Sequence, residues 1–120
     1  MSDEPTTTSD TNTGDTFTHL VELVAALDRR FPSHNGPFER VSRLAEEAGE
    51  LAAAVNHAEG MGVKNDKHGT PDLTNLVKEV EDVLRSAIGI AHHYGVIDPL
   101  RASIAEHHAR YRANGYIPSQ

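Results

Sequence analysis

Two short acidic runs are the residues of this chain best suited to chemistry. Glu46-Glu47-Ala48-Gly49-Glu50 and Glu79-Val80-Glu81-Asp82 each hold an acid pair at i, i+3: Glu47 with Glu50, and Glu79 with Asp82. On a helix that spacing sets two carboxylates one turn apart on the same side. Four such groups facing one another without a cation repel, and some must take up protons. A hard divalent ion removes the conflict, because Mg²⁺ takes oxygen ligands and keeps waters and substrate phosphates in its shell. The pattern therefore points to an Mg²⁺ site, with Mn²⁺ as a substitute, acting on a phosphorylated ligand. Solvated helix faces carry the same spacing, so the pairs alone leave both readings open.

The elements that must position these acids are helical. Leu20, Leu23, Val24 and Leu27 recur at three- and four-residue spacing and predict a first helix from Thr16 to about Phe31-Pro32. Pro37 suits the first position of a second helix, running to His57. Its apolar stripe is Phe38, Val41, Leu44, Ala45, Ala48, Leu51, Ala52 and Val55. A loop follows from Glu59 to Pro71, carrying Gly60, Gly62, Gly69, Lys64, Lys67 and His68. Asp72 is placed to cap a third helix with the inner face Leu73, Leu76, Val77, Val80, Val83, Leu84, Ala87, Ile88, Ala91 and Tyr94. Gly95 closes it. Asp98-Pro99 reads as the cap and first turn of a fourth helix ending near Asn114-Gly115. No segment alternates with period two, so the fold class is all-α with four helices.

Projected at about 100° per residue, Glu47 lies beside Leu51 at the edge of its stripe, and Glu46 points further toward solvent. Glu79 borders the third helix's stripe with Asp82 beside it, and Asn75, Ser86 and His93 on the same flank. Antiparallel packing of the two helices lines both pairs along one seam. Arg43, Lys78 and Arg85 flank the acids, where they can reach phosphates or serve as solvated partners of nearby Glu residues.

Composition narrows the class. The 120 residues carry 11 Lys+Arg against 18 Asp+Glu, a formal charge of −7, which opposes binding to a nucleic-acid backbone. There is no Cys, which excludes disulfides, thiolate metal sites and thiol nucleophiles. No apolar run approaches the ~18 residues of a membrane span and no signal-peptide pattern opens the chain, so a cytoplasmic protein is expected. Residues 1–15, rich in Thr, Asp and Ser, read as a disordered tail before a helical domain at 16–113 and a short tail at 114–120. No P-loop, GxGxxG or GxSxG motif is present.

Arg43-Leu44-Ala45-Glu46-Glu47-Ala48-Gly49-Glu50-Leu51, followed by Glu79-Val80-Glu81-Asp82-Val83-Leu84, resembles the signature of the MazG-like all-α nucleoside triphosphate pyrophosphohydrolases. That signature is an ExxE pair and an ExxD pair on consecutive helices. The resemblance covers roughly residues 20 to 113. It implies a bundle-like MazG-type fold, assembled as a homodimer or homotetramer. It also implies cleavage of a nucleoside triphosphate between its α and β phosphates, in a house-cleaning role. Glu47, Glu50, Glu79 and Asp82 would hold Mg²⁺, and Glu47, or else Glu46, would act as general base. A phosphoribosyl-ATP pyrophosphohydrolase-like activity lies within the same class.

The fourth helix departs from that pattern. Where many relatives carry Lys, Asn and Tyr at four-residue spacing, this chain has Ser103, His107 and Tyr111, with Arg110 alongside. Tyr111 fits, and the Lys and Asn are missing. His107 falls on the inner face with Leu100, Ile104 and Tyr111, and reads as a buried core histidine ahead of a substrate contact. The His92-His93 and His107-His108 doublets lack zinc spacing. A helical dimerisation module or nucleotide-binding regulator without turnover is the alternative from another class.

Overall fold

A computed structural model describes residues 15–60 and 73–118. Among these residues the only regular secondary structure is α-helix, joined by turns and bends. Helix α1 spans Thr16–Arg30, α2 Pro37–Ala58, α3 Thr74–His93 and α4 Ile97–Ala113. The predicted cap Asp72, the loop with Lys64, Lys67 and His68, and the tail before Asp15 lie outside the described residues.

Local chemistry sets the helix ends. Asp15, assigned to the tail by composition, caps α1. Its carboxylate accepts from the Phe17 and Thr18 amides and from the Thr18 hydroxyl. Pro37 occupies the first turn of α2, after Gly36. Helix α3 closes as expected at Gly95 (φ +69°). The Val96 amide donates to the Ala91 carbonyl and the Gly95 amide to that of His92, the paired bonds of a Schellman turn. The start of α4 differs from the expected cap. Val96 precedes the helix, and Asp98 lies inside the first turn, where its charge still complements the helix dipole.

Helix α3 is central. It packs along α2 and, less extensively, against α1, whereas α4 only touches it. The α2–α3 pair is antiparallel, with Arg40 opposite Gly89 at one end and Glu50 near Glu79 toward the other. Val24, Ala54 and Ile88 are the buried apolar residues among those described, one from each of α1, α2 and α3.

The helix faces depart from the apolar stripes. Of the α2 stripe, Leu44 and Leu51 are half-buried, while Phe38, Val41, Ala45, Ala48, Ala52 and Val55 are exposed. The face that meets α3 runs through Arg40, Glu47 and Ala54, spaced at seven residues. On α3, Glu79 and Gly89 join Ile88 in the interior, while Val77, Val80 and Leu84 remain exposed.

Arg40 explains the rotation. Its guanidinium donates to the Gly89 carbonyl at 3.1 Å, to the Asn35 carbonyl at 2.7 Å and to the Asp28 carboxylate at 2.8 Å. One buried side chain thus ties α1, the α1–α2 turn, α2 and α3 together. Gly89 lets the guanidinium approach, since a Cβ there would stand 3.1 Å from Arg40 Nη1. A buried Arg tolerates dehydration when its donors are met by oxygens in this way.

Arg40→Met leaves Asp28 and two backbone carbonyls without their donor. Because Asp28 retains 23% side-chain exposure, the cost should fall below that of a fully buried pair, at about 2–3 kcal/mol in denaturant unfolding. A loss under about 0.5 kcal/mol would contradict the organising role given to Arg40.

Candidate metal centre

The α2–α3 register brings three of the four acids together. Glu47, Glu50 and Glu79 each offer a carboxylate oxygen, and these atoms all lie within 4.8 Å of one another. Glu79 is buried, Glu47 half-buried and Glu50 exposed, so the group opens from the helix seam to solvent on one side. Glu46 is exposed and does not join it.

Buried polar atoms are almost always hydrogen-bonded. Here Glu47 Oε1 and Glu79 Oε1 are both buried and both lack a donor. Two anionic oxygens without partners, facing a third carboxylate, fit a hard cation. Lys78 Nζ approaches Glu79 Oε2, at 3.7 Å, and leaves these two oxygens without a hydrogen bond. Glu47 shows the strain: burial pushes its carboxyl above the usual range, and Asp82, Glu50 and Glu79 push it the same way.

Asp82 stands beside this group in a different state. Lys78 Nζ donates to its Oδ2 at 2.9 Å, and Arg85 Nη2 donates to its Oδ1. The hydrogen bond from Lys78 holds the Asp82 carboxyl below its ordinary range, and the same bond raises the Lys78 ammonium. Lys78 Nζ also lies 3.7 Å from Glu79 Oε2. Arg85 reaches Glu81 as well, at 3.6 Å.

Two clefts flank the carboxylates. One, of about 160 Å³, is lined by Asp28, Arg40, Arg43, Glu47, Asp82, Arg85 and Ser86 with Val24, Leu27 and Gly89. Ligand pockets usually hold 300 Å³ or more, so this cleft is smaller than a typical one. Its Arg43 donates to the His34 carbonyl at 2.8 Å, which fixes the guanidinium at the rim. The second cleft is lined by Glu50, Ala53, Ala54, His57, Asn75 and Glu79.

Of the expected ligand contacts, Arg43 and Arg85 line the first cleft and Lys78 reaches Glu79 and Asp82. Helix α4 contributes no residue to either cleft. His107, expected in the core, is exposed: α4 carries too few apolar side chains to bury a face, and none of its residues is buried. Arg110 pairs with Glu106 at 2.7 Å, and Tyr111 meets Tyr116 edge to face.

Asp28, Arg40 and Gly89 border the site without having been singled out in the sequence. Signals for two of them, Arg40 and Gly89, were present. Arg40 lies seven residues before Glu47, on the same helix face, and a Gly inside an apolar helix marks a close approach.

No family model matches the chain, and neither a curated protein nor a solved structure matches it.

The raised carboxyl sets a pH dependence. The folded chain holds the Glu47 proton more tightly than the unfolded chain, so protonation favours folding. Stability of the metal-free protein should therefore rise as pH falls through the raised value, before general acid effects set in. Metal and proton compete for the same oxygens, so cation affinity should fall over that range. Glu47→Gln removes the repulsion and should raise the metal-free melting temperature at pH 7 by roughly 2–4 °C. A fall of that size would show that Glu47 is already compensated.

Proposed function

We propose that this protein is an Mg²⁺-dependent nucleotide pyrophosphohydrolase of the MazG-like kind. It would convert a (d)NTP to the monophosphate and pyrophosphate, in a house-cleaning role. The observation that carries the reading is the Glu47–Glu50–Glu79 group with its two buried oxygens lacking donors. Two further features support it: the acidic motifs that hold these residues, and the cations Lys78 and Arg85 beside them.

A divalent ion held there would supply charge neutralisation for the triphosphate and would lower the pKa of a bound water. Glu47, Glu50 and Glu79 would hold it. Of the two candidate bases, Glu47 stands within the group and Glu46 is exposed outside it, so Glu47 would be the one to accept the water's proton. Arg43 and Arg85, at the rim of the smaller cleft, would orient phosphate oxygens and exclude competing geometries.

A second copy of the chain completes this reading. Phe38, Val41, Ala45, Ala48, Ala52 and Val55 follow three- and four-residue spacing along α2, and every one is exposed. That is the a/d seam of a helix that packs against another helix. With only Val24, Ala54 and Ile88 buried among the apolar residues described, one subunit encloses little core. Assembly as a homodimer or homotetramer covers these faces. Val41→Asp should shift the sedimenting species toward monomer; unchanged assembly would remove α2 from the interface.

A binding module without turnover is the second reading, favoured by the absence of α4 from both clefts. Pyrophosphate release from a panel of NTPs, dNTPs and phosphoribosyl-ATP, with Mg²⁺, Mn²⁺ or EDTA, separates the two. The expected result is metal-dependent release from one or a few nucleotides. It should be lost by about a hundredfold or more in Glu50→Gln and in Asp82→Asn, with melting curves retained. Full turnover in EDTA would contradict the enzyme reading, and nucleotide-dependent stabilisation without release would favour the module.

A further inference from the structure

The glutamate group stands between two clefts of opposite character. Glu47 lines the smaller one with Arg40, Arg43 and Arg85, so that side carries the cations. Glu50 and Glu79 line the other, of about 410 Å³, with Ala53, Ala54, His57 and Asn75. No Lys or Arg borders it among the described residues. Glu79 keeps only 7% of its surface exposed, and its Oε1 has no hydrogen-bond partner. A buried anionic oxygen in that state calls for a cation or a donor.

One oxygen from each of three carboxylates fills half of the octahedral shell of Mg²⁺ or Mn²⁺. Water and substrate oxygens take the other half. Phosphate oxygens are drawn to the arginine side, which leaves the cation-free cleft to water. At ~30 Å³ of liquid volume each, several waters fit there. Water on a divalent ion donates its protons, so it needs acceptors in the wall. The methyl groups of Ala53 and Ala54 offer none. Asn75 does. It lies one turn before Glu79 on α3, on the same side of that helix, and is exposed. No hydrogen bond engages its side chain among the described residues.

We propose that Asn75 is a positioning residue of the metal centre: its Oδ1 accepts from a water in the shell of an ion held by Glu47, Glu50 and Glu79. This inference rests on the metal reading of the three glutamates. A neutral amide accepts from that water without adding charge to the acids. Partners of this kind orient the inner shell and raise affinity without touching the ion. Asn75 thereby fixes the hydrated side of the shell, and the opposite side stays open to phosphate oxygens.

Mn²⁺ alone, titrated into the full chain at pH 7, tests this role. Affinity is read by calorimetry, and water on the ion is counted by electron–nuclear double resonance in heavy water. Asn75→Ala should weaken Mn²⁺ about tenfold. Its metal-free melting temperature should stay within about 1 °C of the wild type, because the side chain bonds nothing in the metal-free chain. The number of waters on the ion should not change. Asn75→Asp keeps an acceptor in place and adds a charge, so it should tighten Mn²⁺ about threefold or more.

Affinity in Asn75→Ala within about twofold of the wild type would overturn the inference and leave the glutamate site standing. One additional water on the ion in that variant would also overturn it, by making Asn75 a direct ligand. No Mn²⁺ binding by the wild type would overturn the metal reading, and this inference with it. If Asn75→Ala melts lower without metal, the isosteric Asn75→Asp decides. Tightened binding supports the positioning role, and unchanged or weakened binding overturns it.

Discussion

The structure depends on the charged register of the α2–α3 seam. At one end Arg40 is buried and fully engaged, with α1 through Asp28 and with α3 through the Gly89 carbonyl. Moving along the same antiparallel register, Glu47 comes beside Asp82 and Glu50 beside Glu79. A slip of one residue at Arg40 would disperse the carboxylates as well. The interaction that fixes the fold and the arrangement that defines the site are therefore one geometric constraint. Its two ends differ in sign and in satisfaction: the cation has its oxygens, while two buried anionic oxygens lack donors.

This asymmetry explains how a small helical chain can keep an unfavourable cluster. Buried apolar residues from α1, α2 and α3 and the Arg40 network hold the helices at fixed spacing. The acids are thus held near one another by contacts that do not depend on them. The cost of burial and of local repulsion, visible in the raised Glu47 carboxyl, is tolerated because the helices cannot separate without breaking those contacts. Lys78 and Arg85 neutralise one edge of the cluster and leave the other open toward solvent.

Much of this was legible in the sequence, and the remainder was not for identifiable reasons. Apolar periodicity and capping residues place the helices, and the turn at Gly95 follows from its neighbours. The acid pairs announce a seam, and Glu47, Glu50 and Glu79 meet there. The faces were less accessible to pattern reading, because a helical wheel assigns the interior to apolar residues by default. Here Arg40, Glu47 and Glu79 occupy it, while Phe38, Val41, Val77 and Val80 face outward. Only partners distant in sequence, such as Asp28 and Gly89 for Arg40, make that choice favourable. His107 failed as a core residue for the converse reason: its own helix has no substantial packing surface within the subunit.

The central claim is that the three glutamates form one cation site. Crystals soaked in Mn²⁺ and measured at an energy where manganese scatters anomalously test it directly. The account predicts one anomalous peak per chain, within coordination distance of Glu47, Glu50 and Glu79, with waters completing the shell. Clear carboxylate density at saturating Mn²⁺ with no peak among them, or with the Lys78 ammonium in that space, would contradict it.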